Sequence, residues 1–361
     1  MLTSSRSPLA RIMANGCLVP GLIDVEVICN SHFSADRFSA SFALNVTPLY
    51  GIGFWSSEMD ITIQVLFSLD AVSFVSLFTG SVDSVAINAT NSLVHISGRD
   101  LSSRLIEART EETFSNRTSS EIASLLAIRH GLTPNVAQTT TPVGRYYQDE
   151  HDRITLGAFS RSTTEWDLLV FLALQEGFDI SVTGNTLNFQ PTSSAALAPY
   201  LITPGSCIEM RLERCLTLAR DIEVTVKSWN SRQRGAFAQT VTGSCRADTN
   251  TNARSSPQQY IFVRPNLTAD QALKFAQQKL NDLVMHERVV ECVMPGDLLL
   301  TPMGQLVVIG TGTEFDQAYS IDVVERRLNL NDGFTQRLRA KCSSPRSTFT
   351  NQPNDTGAIG S

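Results

Sequence analysis

Between residues 21 and 97 the chain alternates apolar and polar positions. Ile23, Val25 and Val27 form one such set, Phe38, Ala40, Phe42, Leu44 and Val46 a second, Ile61, Ile63 and Val65 a third, and Val82, Val85 and Ile87 a fourth. Period two marks half-buried strands, because successive side chains of an extended chain point to opposite faces. Turn residues separate these sets, among them Asn30-Ser31, Pro48, Gly51, Gly53 and residues 88–92. Residues 22–98 therefore read as one antiparallel β-domain, with 1–21 as an arm ahead of it.

The period changes at Gly98-Arg99-Asp100-Leu101, where the strand-like stretch 92–97 gives way to a helix-like stretch, 102–108. Arg99 and Asp100 are expected to cap and pair at the start of that helix. Thr118 and Glu121 have the spacing of a capping box, with Ile122, Leu125 and Leu126 following on one face. A second box is expected at Ser162 and Glu165, ahead of Trp166, Leu169, Val170, Ala173 and Leu174, with Gly177 as a left-handed stop. Residues 178–182 and 186–189 then read as a hairpin. The span 99–204 is thus a small α+β unit, and 139–152, which lacks any period, reads as a loop.

Strand patterning returns in 205–341, first at Ile222, Val224 and Val226 and later at 289–293, 298–300, 306–309, 319–324 and 334–340. Within that span a third capping box, Thr268 with Gln271, opens one amphipathic helix. The polar stretch 243–259 cannot bury enough to offset its ordering entropy and reads as a loop. Beyond Cys342 the Ser/Pro/Thr/Asn composition reads as a tail, 342–361, with no fold of its own.

Composition narrows the function. The chain has 361 residues, 42% of them hydrophobic, and a net charge of -6. Its lysines are few (Lys227, Lys274, Lys279, Lys341), so no basic stripe argues for sequence-specific nucleic-acid binding. No apolar run has the length of a signal-peptide core or a membrane span, so assembly in the cytoplasm without a membrane anchor is expected. On that basis all seven cysteines are expected as free, mostly buried thiols.

Catalytic chemistry finds little support. Asp149-Glu150-His151-Asp152 is the densest polar cluster, but consecutive residues of a loop cannot all aim at one point. His130 precedes Gly131 and reads as a helix cap or a packed ring. No nucleophile elbow, phosphate loop or H-E-x-x-H spacing occurs, and no catalytic residue, metal or cofactor is assigned. Two suitably spaced carboxylates would serve a glycosidase, so a cell-wall hydrolase acting through Glu150 or Asp152 stands as the rival reading. Trp55 and Phe54, in a Gly/Ser-rich stretch, are candidate interface residues beside Arg99 and Asp100.

The order of units carries a resemblance. A β-domain, then Gly98-Arg99-Asp100-Leu101, Ser119-Ser120-Glu121-Ile122-Ala123, His130-Gly131-Leu132, Trp166-Asp167-Leu168-Leu169 and Glu176-Gly177-Phe178, then a second β-domain with Pro295-Gly296-Asp297 and Gly333-Phe334-Thr335, resembles the baseplate hub proteins of contractile phage tails. These form the late-control D family and are similar to the N-terminal hub part of type VI secretion spike proteins. The resemblance covers roughly residues 22–340. It implies a mainly β fold, with two tail-tube-like antiparallel β-barrels flanking a small α+β domain. It further implies a homotrimer of pseudo-six-fold symmetry that joins the six-fold tail tube protein to a three-fold central spike protein and lines the DNA channel. Tape measure and baseplate wedge proteins would be further neighbours, DNA would pass only in transit, and the protein would reside in the virion tail baseplate after assembly in the host cytoplasm. Because the chain ends soon after its second barrel, the spike is expected as a separate protein. The hub of a non-contractile tail or of a secretion-type machine shares the same plan.

Overall fold

The computed structural model describes residues 6–31, 33–44, 46–109, 112, 114, 117–140, 142–143, 164–191, 199–218, 221–230, 235–244, 257–264, 267, 269–343 and 346–348. The fold is mainly antiparallel β with helical insertions, as the periodicity indicates. The first β-unit contains β1 (Leu9–Ala14), β2 (Cys17–Val19), β3 (Leu22–Asn30), β4 (Arg37–Ala43), α1 (Ile52–Ser57), β5 (Thr62–Ser68), β6 (Val75–Asn88) and β7 (Leu93–Asp100). Residues 9–14 and 17–19, expected as part of an arm, are instead strands: β1 pairs with β5 and β2 with β1. Burial of Ala10, Ile12 and Ala14 in the core of this unit explains the difference, since alternate residues of β1 supply one wall of it.

The α+β insertion follows as α2 (Ser103–Glu107), α3 (Ser119–Arg129), β8 (Thr133–Val136), α4 (Glu165–Glu176), β9 (Phe178–Thr183) and β10 (Thr186–Pro191). Thr118 and Glu121 form the expected capping box. The second box lies two residues later than expected, at Thr164 and Asp167, and Ser162 is outside the described residues. Gly177 ends α4 at φ 74, the left-handed stop that lets β9 turn back beneath the helix. Leu105, Ile122, Leu126, Leu169, Leu172, Leu187 and Phe189 fill this core. Each such side chain contributes about 1.5–3 kcal/mol. Most of the expected loop at 139–152 lies outside the described residues.

The second β-unit contains β11 (Tyr200–Ile202) and β12 (Glu209–Arg214) and resumes after an excursion of β13 (Ile222–Asn230), β14 (Gly235–Ser244), β15 (Gln258–Val263) and α5 (Ala269–Val284). It then completes as β16 (Arg288–Pro295), β17 (Gln305–Val308), β18 (Ala318–Asn329) and β19 (Gly333–Cys342), with β20 (Arg346–Thr348) last. The excursion does not join the main sheet, contrary to the expectation of one barrel over 205–341. Strands β13, β14, β15 and β20 form a sheet of their own, backed by Ala272, Ala276, Leu280 and Val284 of α5. The supposed tail therefore contributes a strand, β20, which pairs with β14. Residues 298–300 are not a strand. Thr268 and most of the polar stretch 243–259 lie outside the described residues.

The cysteine expectation is also corrected. A disulfide joins Cys207 to Cys292, whose Cα atoms are 6.3 Å apart, a separation that suits the bond. Cys342 is disulfide-bonded too. Of the free thiols Cys29 is buried, but Cys17 and Cys215 are exposed.

The main sheet has thirteen strands and unites both β-units. Their internal orders correspond strand for strand: β1-β5-β6-β7-β4-β3 in the first, β11-β17-β18-β19-β16-β12 in the second. Only the β11–β17 pair, which is parallel, departs from the antiparallel pairing of its counterpart. The correspondence reaches the sequence, as Ser81-Val82-Asp83-Ser84-Val85 in β6 against Ser320-Ile321-Asp322-Val323-Val324 in β18. In each, the pairing register slips at the aspartate, and a basic residue stands opposite the serine, Arg99 in β7 and Lys341 in β19.

Candidate assembly interface

The two β-units meet edge to edge. Strand β18 is longer than its neighbour β17, which covers only residues 318–320, and its other half pairs antiparallel with β3, from Val323 opposite Asn30 to Leu328 opposite Val25. The register slip at Asp322 lies where the partner changes. A bulge adds local twist and re-aims one residue, which lets a single strand serve two partners in turn. The Asp322 carbonyl accepts the Ser31 N–H at 2.8 Å, and its carboxylate accepts the Ser31 hydroxyl at 3.0 Å. Lys341 Nζ lies 2.8 Å from the same carboxylate, with both side chains only 9% exposed.

Further buried polar groups line this seam. Arg326 donates through Nε to the Asp297 carbonyl at 2.8 Å and through Nη2 to the Leu300 carbonyl, which ties β18 to the loop after β16. Burial lowers the pKa of its guanidinium and raises that of the nearby Cys29 thiol, which the Asp36 charge raises further. Asp36 accepts the Asn30 N–H at 2.8 Å, yet burial pushes its carboxyl up to about 7. Asp100, whose N–H donates to the Asp36 carbonyl at 3.0 Å, is pushed up to about 6 by the same cause. Glu26 is raised by burial and then by Glu325 across the seam, with Arg327 opposing.

The loop between β3 and β4 also holds the α+β insertion. Phe33 adopts φ 48, a left-handed conformation rare outside glycine, and its carbonyl accepts the Trp166 indole N–H at 2.7 Å. The Phe33 ring packs on the insertion core.

The four candidate residues from the sequence are not brought together. Trp55 is 3% exposed, donates to the Tyr50 carbonyl at 3.2 Å and stacks on Phe42 with ring centroids 6.0 Å apart. It anchors the short helix α1, which the Gly/Ser-rich sequence had concealed as a loop. Phe54 is half-buried against Tyr50 and Trp55. Arg99 binds Asp83 through two nitrogens, at 2.6 and 2.9 Å, and Glu107 at 2.5 Å. Asp100 is buried and accepts from the N–H and hydroxyl of Ser102, so it turns the chain into α2. Residues 98–100, where the period was expected to change, still belong to β7, because they continue its pairing with β4 and β6. Gly98 stands there because a Cβ would lie 2.0 Å from the Ser81 carbonyl oxygen and 2.8 Å from the Phe38 ring.

The residues that bear on catalysis have structural partners or fall outside the description. His130 caps α3, and its ring lies 2.5 Å from Glu165, which Arg129 also binds at 2.8 Å, so the three tie α3 to the start of α4. The cluster at 149–152 is outside the described residues. Among the described residues no group of three His, Cys, Asp or Glu could hold a metal, and no helix is long and apolar enough to cross a membrane.

Sequence reasoning missed Ser31, Asp322, Lys341 and Arg326, the residues of the seam. The one signal that pointed to them is the repeated Ser-(Val/Ile)-Asp-x-Val.

No protein-family model matches the chain, and no curated protein does. Solved structures share the fold. The 43 kDa tail protein of prophage MuSo2 from Shewanella oneidensis matches with a TM-score of 0.69 at 18% identity, over 92% of this chain and 98% of that one. A tail protein from Neisseria meningitidis matches at 0.70 and 14%, over 93% and 96%. An E. coli component of the type VI secretion system, itself similar to the T4 bacteriophage tail proteins gp27 and gp5, matches at 0.55 and 10%, over 92% and 77%.

Proposed function

We propose that this chain is a structural hub of a phage tail baseplate, a homotrimer that joins a six-fold tail tube to a three-fold central spike. The observation that carries the reading is the internal correspondence of two β-units joined edge to edge in one sheet. A chain with two equivalent units presents six of them in a trimer, which matches a six-fold ring on one side and a three-fold partner on the other. The shared fold with prophage tail proteins and with a type VI secretion component supports the same assignment. In this role the protein resides in the virion tail, contacts the tube and spike proteins, with tape measure and wedge proteins as further neighbours, and surrounds DNA only in transit. Its chemistry is that of interfaces, and no reacting centre is assigned.

Native mass spectrometry of the full chain tests the trimer. A species at three times the 39.5 kDa chain mass is expected, and electron microscopy of that species should show a ring with a central channel. A chain that remains monomeric at high micromolar concentration, alone and with tube protein, overturns the reading.

A further inference from the structure

The seam within the chain has a counterpart that is unpaired among the described residues. Strand β18 offers the half that β17 leaves uncovered, and β3 occupies it. Its equivalent β6 pairs with β5 only as far as Ser81, so residues 84–88 have β7 on one side and, among the described residues, an open edge on the other. The equivalent of β3 is β12, the outermost strand at the far end of the same sheet. The chain therefore carries both halves of a second seam, too far apart in its own sheet to meet.

We propose that β12 of one copy pairs antiparallel with residues 84–88 of β6 in a second copy, repeating the β18–β3 seam between subunits. The register follows from the pairings. Arg99 corresponds to Lys341 through the serines opposite them, Arg37 to Val289 through β7 and β19, and Ile28 to Glu213 through β4 and β16. Val323 opposite Asn30 thus becomes Ser84 opposite Cys215, followed by Val85 opposite Arg214, Ala86 opposite Glu213 and Ile87 opposite Leu212. Ser31, which donates to the Asp322 carbonyl, becomes Leu216, which donates to the Asp83 carbonyl of the other copy. The pairing covers Leu216, a large apolar side chain 72% exposed in the single chain. It also shields the Asp83–Arg99 pair from solvent, as the internal seam shields Asp322–Lys341. Such contacts run head to tail, so they close a ring rather than a two-fold dimer. Three internal and three intersubunit seams alternate around it.

The inference rests on the trimeric reading above, and the native exposed thiol of Cys215 makes it directly testable. The Cys215 N–H points back to the Glu287 carbonyl within its own chain, so the residue occupies a non-hydrogen-bonded site, where facing side chains come closest. Mild oxidation of full-length Ser84→Cys should link subunits through Cys215 and yield covalent trimer on a non-reducing gel. Ala86→Cys, displaced by two residues on the same face, leaves Cβ atoms roughly 7–8 Å from Cys215 and should link about tenfold more slowly. Ser84→Cys combined with Cys215→Ser should not link. A variant that is trimeric by mass yet unlinked, or faster linking by Ala86→Cys, overturns the register while leaving the hub standing. A chain that is monomeric by mass overturns both.

Discussion

The paired aspartates at the two bulges provide an internal experiment on burial. Asp322 and Lys341 lie 2.8 Å apart and 9% exposed beneath the β3–β18 seam, whereas Arg99 and Asp83 lie 2.6 Å apart with 27% and 33% of their side chains exposed. Two unit charges at the first separation attract by about 6 kcal/mol at an effective dielectric of 20. Desolvation of both ions offsets much of that, but removal of one partner strands the other, which costs about 3–5 kcal/mol. Lys341→Met should therefore lower the opening free energy of the seam by that amount, and Asp322→Asn with Lys341→Met should recover most of the loss. The coupling between the two changes should be near 3 kcal/mol. At the exposed site, water and salt reduce the coupling of Asp83→Asn with Arg99→Met to below about 1 kcal/mol in the monomer. Hydrogen exchange with mass spectrometry, on peptides covering residues 25–30 and 323–328 for the first pair and 81–88 for the second, reads both local free energies. Equal couplings at the two sites, or a buried coupling below about 1 kcal/mol, would refute the claim that the seam seals the first pair from water.

Three more outcomes are expected. Asp36 and Asp100 are pushed up to about 7 and about 6 by burial, so the folded chain keeps protons that the unfolded chain releases near pH 4. Stability from this pair is fully present below about pH 4 and is lost as pH rises through 6 to 7. Asp36→Asn should flatten the dependence of Tm on pH between 4 and 8, and curves parallel to the parent would count against it. Trp166→Phe keeps the ring in the insertion core but removes the bond to the Phe33 carbonyl, at a cost of about 1–2 kcal/mol, seen as faster proteolysis within 103–191. Gly98→Ala forces a methyl group against the Ser81 carbonyl and should cost about 3 kcal/mol or more in urea denaturation.

Strands β3 to β7 and β16 to β19 and the capped helices were legible in the sequence, because alternation, capping boxes and Gly177 act within a few residues of where they stand. The short helix α1 was not, since Gly53, Ser56 and Ser57 mask a turn that Trp55 stabilises through the distant Phe42. Strands β1 and β20 were missed for a similar reason: their partners β5 and β14 lie far along the chain and leave no local mark. Periodicity likewise marked β13 as a strand without showing that α5, rather than the main sheet, covers it, and it did not mark β14 or β15.

The sequence by itself determined most strands of the two β-units, the capped helices and the order in which two β-units flank an α+β unit, because backbone preference and the spacing of apolar side chains are local properties. Only the tertiary structure decided that β3 and β18 join those units into one sheet and that, among the described residues, β6 and β12 retain open edges. Strand pairing depends on backbone groups that every residue carries, so a contact between residues 27 and 326 has no signature in either segment alone. The repeated Ser-(Val/Ile)-Asp-x-Val is the exception: it stands twice in the chain, and its meaning appears only where the bulges it forms are seen at the ends of equivalent pairings.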